Sequence, residues 1–208
     1  MKIERWDFNR GELQENDLLL EPLKLFKQWY EDAVSENVQE PSAVVVATVL
    51  DGQVATRVVY LRDILEEGLV FYTNYESQKG KAIEQENRVA MNFHWSELER
   101  QVKVKGIAEK VPVEVSDQYF SERPRLSQLG AWASNQSSVI ANREELILRM
   151  EEFENKFDGQ PVPRPENWGG YVVKPTSFEF WQGRPGRLHD RFLFTSENDV
   201  WKVNRLSP

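Results

Sequence analysis

Apolar residues along the chain recur in some segments at helical spacing and in others in alternation. Over residues 22–37, PLKLFKQWYEDAVSEN, apolar side chains return every three to four positions, and Pro22 suits a first helical turn. A second clear helix is predicted over residues 143–157, where Leu146 and Met150 share one face with two phenylalanines. Shorter helices are predicted in SQKGKAIEQEN, in VEVSDQYFSER and after Pro124.

Runs of β-branched and aromatic residues fill much of the remaining sequence. Two of them flank Asp51-Gly52, a dipeptide that favours a tight hairpin. The helices are inserted between groups of strands and do not alternate with single strands, which argues against a βαβ sheet. The pattern predicts a mainly antiparallel β fold with inserted helices (α+β), in the form of a barrel. The predicted strands are SAVVVATVL, VATRVVYL, LVFYTN, RVAMNFHW, RQVKVKGIAEKV, GGYVVKPTSFEFW, LHDRFLFT and VWKVNRL.

The chain is predicted to form one domain. Its 208 residues can bury a substantial core, and no repeat, low-complexity tract or linker divides them. Residues 1–17 lack clear periodicity and are predicted to form a mobile N-terminal arm. Residues 18–208 are predicted to form the domain itself.

Composition excludes several kinds of chemistry. The absence of cysteine rules out disulfides, thiolate metal sites and a cysteine nucleophile, and two histidines leave little for a metal centre. A formal net charge of -8 argues against nucleic-acid binding, although a local basic pocket in such a protein would favour a small anion. No apolar run approaches the roughly 18 residues that span a bilayer, and the first residues are polar. These features predict a cytoplasmic protein that binds neither membrane nor nucleic acid.

Cationic and aromatic residues are concentrated in five stretches, TRVVYLR, YTNYESQKGK, LERQVKVKG, YFSERPRLSQLGAWASNQSS and EFWQGRPGRLHDRF. Each has an ordinary structural interpretation when taken alone, as a solvated face or a polar loop. Together they offer guanidinium, ammonium, hydroxyl and amide donors of the kind that bind phosphate oxygens. GxGxxG, Walker A and GxSxG motifs are absent from the sequence. The residues therefore favour a site for a phosphorylated aromatic ligand.

The segment RLHDRF, residues 187–192, carries three groups that can be cationic. If it is extended, Arg187, His189 and Arg191 share one face because strand side chains alternate. Leu188 and Phe192 then anchor the strand from behind. Like charges two residues apart repel, so an anionic or electron-rich partner is expected to face them.

From about Pro22 to Pro208 the sequence resembles the pyridoxine/pyridoxamine 5′-phosphate oxidases, most specifically in RPRLSQLGAWASNQSS, EFWQGRPGRLHDRF and the ending NRLSP. The resemblance implies a split β-barrel homodimer with FMN in clefts at the subunit interface. It also implies oxidation of pyridoxine or pyridoxamine 5′-phosphate to pyridoxal 5′-phosphate. Oxygen would be the acceptor, giving hydrogen peroxide, and the amine substrate would release ammonia.

The resemblance also assigns roles to individual positions. Arg187 and His189 match the pair that holds the substrate ring against the flavin, and are the expected catalytic residues. Substrate-binding residues are expected at Arg62, Tyr119, Arg123, Ser127, Arg187 and His189. FMN contacts are expected at Arg57, Val58, Val59, Tyr60, Leu61, Arg62, Tyr72, Thr73, Gln78, Lys79, Gln101, Gln136, Ser137, Trp181 and Arg191.

Several positions depart from the family pattern. Arg62 stands where lysine is usual, Gln78 where arginine is frequent, and Glu40 where aspartate is frequent. In the arm, Arg5 fits loosely and Phe8 replaces an expected tyrosine. Two alternatives stay open: a related split-barrel flavoenzyme with another substrate, such as a phenazine-pathway oxidase, and a non-enzymatic flavin- or haem-binding protein.

Overall fold

The computed structural model describes residues 7–18, 21–198 and 200–208. Arg5 and the rest of residues 1–6 of the predicted arm lie outside the described residues. The helices are α1 (Pro22–Ser35), α2 (Gln78–Gln85), α3 (Val113–Glu122), α4 (Arg125–Ala133) and α5 (Arg143–Lys156). The strands are β1 (Ala43–Leu50), β2 (Gln53–Tyr60), β3 (Asp63–Leu65), β4 (Gly68–Asn74), β5 (Arg88–Trp95), β6 (Arg100–Lys110), β7 (Trp168–Gln182), β8 (Asp190–Glu197) and β9 (Val200–Arg205).

All described strand pairs are antiparallel, which confirms the predicted fold class. The sheet runs in the order β2-β1-β5-β6-β7-β4-β3, and β8 and β9 extend from β7. The long strand β7 organises the sheet. One edge pairs with β6 along most of its length, and the other pairs first with β4 and then with β8.

Local sequence explains the first hairpin. Val44, Val46 and Thr48 of β1 alternate inward, and Asp51 and Gly52 take positive φ angles of 51° and 75°. A two-residue turn of this kind matches the twist of the strands that it joins. The predicted hairpin is therefore confirmed.

The main core lies between the inner face of the sheet and α1. Phe26 of α1 packs against Phe93 of β5 and Phe178 of β7, and all three are fully buried. A second apolar cluster lies where α3, α4 and α5 meet the first residues of β7. It is built around Phe120, Leu129, Phe157, Val162 and Trp168. This second cluster supports the candidate site described below.

The arm residues that the structure describes lie against the sheet. The backbone N–H groups of Asn9 and Arg10 both donate to Oε2 of Glu99 at 2.8 Å, and Leu13 is buried. Whether residues 1–17 are mobile stays a prediction. Among the helices of the described residues, none is long and apolar enough to cross a membrane.

Candidate active site

A cleft of about 640 Å³ opens between the end of β2, β4 and the helices α3 and α4. This volume lies in the range typical of small-molecule sites. The turn at Pro124 places residues of both helices on the same wall. The lining residues are Val58, Val59, Tyr60, Arg62, Tyr72, Thr73, Lys79, Tyr119, Glu122, Arg123, Pro124, Ser127, Gln136 and Trp168.

The four residues expected to bind a substrate phosphate, Arg62, Tyr119, Arg123 and Ser127, all line this cleft. Arg123 is the most unusual of them. Its Nη1 atom is buried and has no hydrogen-bond partner within the described ranges. Burial lowers the pKa of Arg123 from that of a free guanidinium. Burying a cationic donor without a partner costs free energy, so the cleft favours the binding of an anion.

Lys79 is a second cation that forms no ion pair within the described part of the chain. It is buried, and its ammonium donates to Thr73 Oγ1, Ser77 Oγ and Gln136 Oε1 at 3.2, 3.2 and 2.8 Å. All of these acceptors are neutral. Burial, with a smaller contribution from Arg57, lowers the pKa of Lys79 to about 8. A phosphate beside this ammonium would remove much of that electrostatic penalty.

Arg57 points inward from β2 and does not line the cleft. Its Nη1 donates to the Val46 carbonyl, Thr48 Oγ1 and the Ala55 carbonyl at 3.1, 2.8 and 2.9 Å. Burial lowers the pKa of Arg57. Three acceptors on one nitrogen fix the guanidinium near Lys79, so an FMN contact would use its other donors.

Other predicted FMN positions divide between those in the cleft and those outside it. Val58, Val59, Tyr60, Tyr72 and Thr73 line it, as do Lys79 and Gln136. Leu61 is buried, while Gln78 and Ser137 are exposed, and none of these three lines the cleft. Glu40, one of the departures, accepts a hydrogen bond from the Tyr60 hydroxyl at 3.2 Å.

The remaining predicted site residues form a separate group at the far end of β7. Trp181 lies between Gln101 of β6 and Arg191 of β8 in the sheet register. The ring of His189 packs against Trp181 with a centroid distance of 4.6 Å. We call Gln101, Trp181, Arg187, His189 and Arg191 the distal group.

The predicted strand LHDRFLFT begins two residues later than expected, and the condition that residues 187–192 are extended is met only from Asp190 onward. Arg187 ends a 3-10 turn, Pro185–Arg187, with a φ of 65°, and β8 begins only at Asp190. Proline followed by glycine favours such a turn over a strand. Leu188 is 74% exposed and does not anchor the segment, whereas Phe192 is buried at 1% exposed, as predicted.

The turn nevertheless keeps Arg187 and Arg191 close to His189. Burial lowers the pKa of His189, and the two arginines lower it further. The backbone N–H of Arg184 donates to Nδ1 of His189 at 3.1 Å. The neutral ring therefore carries its proton on Nε2, which can donate a hydrogen bond to a ligand.

Glu179 supplies the anionic partner expected beside this cluster. Arg191 donates to its Oε1 through Nε and Nη2 at 3.0 and 2.7 Å, and Lys103 contacts the same oxygen at 3.2 Å. Burial alone would raise the pKa of Glu179, but these two cations outweigh it and the pKa is lowered. Phe8 of the arm covers the group, with its ring 5.2 Å from that of His189.

The cleft and the distal group lie at opposite ends of the same strand. Thr73 pairs with Gly169 near the start of β7, and Trp181 is the penultimate residue of that strand. At about 3.3 Å per residue, the two positions are about 40 Å apart along the strand. A ligand of the size of a phosphorylated pyridine does not span the distance between Thr73 and Trp181 of one chain.

Two residues that sequence reasoning did not single out matter in these regions. Trp168 lies in the cleft wall, and Glu179 neutralises Arg191. The sequence pattern does not distinguish either residue, because their partners Arg123 and Arg191 lie on other elements of the fold.

Two family descriptions match the chain. "Pyridoxamine 5'-phosphate oxidase" matches residues 30–157, and "Pyridoxine 5'-phosphate oxidase C-terminal dimerisation region" matches residues 168–208. Together they cover both the cleft and the distal group.

Curated relatives match nearly the whole chain. A pyridoxine/pyridoxamine 5′-phosphate oxidase of Trichormus variabilis is 48% identical, covering 98% of this chain and 96% of the relative. Another, from Rubrobacter xylanophilus, is 49% identical, covering 98% and 94%.

Solved structures show the same fold. PhzG from Burkholderia lata 383, in complex with tetrahydrophenazine-1-carboxylic acid, has a TM-score of 0.88 and 29% identity, covering 93% of this chain and 95% of that one. An FMN-binding, pyridoxamine 5′-phosphate oxidase-related protein of Nostoc punctiforme has a TM-score of 0.73 and 16% identity, covering 92% and 100%. The second likeness concerns the fold alone.

Proposed function

The chain belongs to the pyridoxine/pyridoxamine 5′-phosphate oxidase family, and we propose that it oxidises pyridoxine and pyridoxamine 5′-phosphates to pyridoxal 5′-phosphate. It is an FMN-dependent oxidoreductase. Oxygen is the proposed acceptor, giving hydrogen peroxide, with ammonia released from the amine. The single observation that carries the proposal is a cleft whose walls hold Lys79 and Arg123, neither of which forms an ion pair with the residues that the structure describes.

The residues present fit FMN and substrate as separate anions. Lys79, with Thr73 and Gln136 around its ammonium, would hold the FMN phosphate. Arg123, with Arg62, Tyr119 and Ser127, would hold the substrate phosphate. Bound FMN supplies the two-electron acceptor that no side chain of the protein can provide. The protein supplies orientation and charge.

The matched dimerisation region supports a homodimer, and we propose that each active site is shared between its two subunits. The cleft of one subunit would bind both phosphates, and the distal group of the other would close over the rings. Such an arrangement would bring Arg187 and His189 of one subunit to a substrate bound in the cleft of the other, whereas neither residue lines the cleft of its own chain. Homodimers with two-fold symmetry form two equivalent sites of this kind.

In that arrangement the distal group has defined tasks. His189 would donate from Nε2 to a polar substituent of the substrate ring, because its Nδ1 is already occupied. Arg187 would place positive charge beside the ring and stabilise electron density that shifts during oxidation. Trp181 and Arg191 would contact FMN. A location in the cytoplasm stays a prediction from the sequence.

The proposed substrate is tested by comparison with the phenazine-pathway alternative. The purified protein, loaded with FMN, is given pyridoxine 5′-phosphate or a reduced phenazine carboxylic acid, and product formation is followed. We expect rapid oxidation of the phosphorylated pyridine only. Preferential oxidation of the phenazine compound would assign the chain to the other activity despite its overall similarity.

The lowered pKa of Lys79 predicts how FMN affinity depends on pH. Below about pH 8 Lys79 is protonated in both free and bound protein, so its charge does not change on binding. Above about pH 8 the free protein must take up a proton, so affinity should fall by up to about tenfold per pH unit. Fluorescence titration of apoprotein with FMN between about pH 7 and pH 10 measures this.

Two variants serve as controls for the titration. Lys79→Arg keeps the charge but removes the titration, and should flatten the profile. Lys81→Ala removes an exposed lysine of the same helix and should leave the profile unchanged. An unchanged profile in Lys79→Arg would show that another group causes the pH dependence.

A further inference from the structure

The guanidinium of Arg123 is held by aromatic rings. Its Cζ lies 4.5 Å from the centroid of Trp168 and 5.5 Å from that of Phe120. It forms no ion pair with the residues that the structure describes. A carboxylate partner would neutralise the guanidinium and occupy its N–H donors. An aromatic face attracts the cation while leaving its N–H groups free at the edges.

Trp168 also belongs to an aromatic stack that holds Tyr119 in the same wall of the cleft. The rings of Tyr72 and Tyr119 stack at 3.8 Å and 6°, and both are nearly parallel to Trp168, at 10° and 5°. Burial, and to a lesser extent Tyr119, raises the pKa of Tyr72 to about 12. Tyr72 therefore stays a neutral phenol in the stack.

Trp168 is itself firmly placed. It is the first residue of β7, pairs with Asn74 of β4 and is 7% exposed. Its carbonyl accepts a hydrogen bond from Arg164 Nη1 at 2.6 Å, and Arg164 forms an ion pair with Asp117 of α3 at 2.6 Å. These contacts tie the indole to the helix that carries Tyr119.

We infer that Trp168 is a positioning residue for the substrate phosphate: its indole holds Arg123 and Tyr119 in place without neutralising the arginine. The inference rests on the proposed function and extends it to a residue that does not touch the reacting atoms. Loss of the aromatic face should weaken phosphate binding and leave the oxidation step intact.

Trp168→Leu tests the inference, because leucine retains apolar packing but has no aromatic face. KM for pyridoxine 5′-phosphate should rise about 3- to 30-fold, while kcat changes less than about twofold. Calorimetry should show the same loss in affinity for pyridoxal 5′-phosphate, which does not depend on turnover. Trp168→Phe should recover part of the loss.

Trp132→Leu is the matched control. Trp132 packs against Phe153 and Phe157 in the same cluster and donates to the Pro163 carbonyl, so its loss is structural. This variant should lose stability with an unchanged affinity for pyridoxal 5′-phosphate. If Trp168→Leu does not fold, the affinity of Trp168→Phe for pyridoxal 5′-phosphate is measured instead. A weaker affinity than that of the wild-type protein supports the inference, and an equal one contradicts it.

An unaltered affinity for pyridoxal 5′-phosphate in folded Trp168 variants would overturn the inference. So would a fall in kcat and FMN content with KM unchanged, because that result describes a general structural defect. Failure of the wild-type protein to oxidise the substrate would instead contradict the proposed function. The calorimetric comparison would still decide the role of Trp168.

Discussion

Arg123→Leu is expected to lower kcat/KM for pyridoxine 5′-phosphate by about 100-fold or more, because a charge-assisted contact to phosphate is lost. The stability of the folded protein, by contrast, should not fall. The buried Nη1 has no partner in the described part of the chain, so leucine removes a desolvation cost. We expect the free energy of unfolding of the apoprotein to stay equal or to rise by about 1 kcal/mol.

Arg125→Leu provides the comparison two residues away. Arg125 donates to the carbonyls of Gln160 and Phe157 at 2.8 and 2.6 Å, which is a structural role. It should lower stability and leave kcat/KM nearly unchanged. Steady-state kinetics and denaturant unfolding of both variants measure the two quantities. A destabilised Arg123→Leu with normal kcat/KM would refute the assignment of Arg123 to the substrate.

Arg123→Leu and Arg187→Ala, each nearly inactive alone, are expected to restore activity to one another when refolded together. If each site combines the cleft of one subunit with the distal group of the other, a mixed dimer contains one intact site. Random pairing makes half of the dimers mixed, so about a quarter of wild-type activity should return. Arg187→Ala alone should keep its bound FMN, because the proposed phosphate contacts lie in the cleft.

A second mixture controls for effects of refolding. Arg62→Leu and Arg123→Leu both damage the cleft, so neither site of their mixed dimer is intact and no activity should return. Recovery by neither mixture would mean that the cleft and the distal group of the same chain act together. The shared-site proposal would then be wrong.

Local patterns predicted much of the fold. The helix α1 and the hairpin at Asp51-Gly52 appear where residue spacing and turn chemistry placed them. The strand β3 was missed because its three residues carry too little pattern. Arg187 lies in a turn and not in a strand. Pro185 and Gly186 favour that turn more strongly than the alternation of residues 187–192 favours a strand.

The candidate site was predictable in its residues but not in its arrangement. Tyr119, Arg123 and Ser127 are neighbours in sequence, and the turn at Pro124 keeps them together. Trp168 approaches Arg123 only after β7 has paired with β4, which no short-range pattern encodes. The separation of the cleft from the distal group likewise depends on the length of β7 and its pairing.

The most direct test of the central claim is anaerobic addition of pyridoxine 5′-phosphate to the FMN-loaded protein. The bound flavin should lose its visible absorbance as one pyridoxal 5′-phosphate forms per flavin, and admission of oxygen should restore the colour with release of peroxide. A protein that binds FMN and substrate but keeps an oxidised flavin spectrum, and forms no pyridoxal 5′-phosphate, would contradict the assignment.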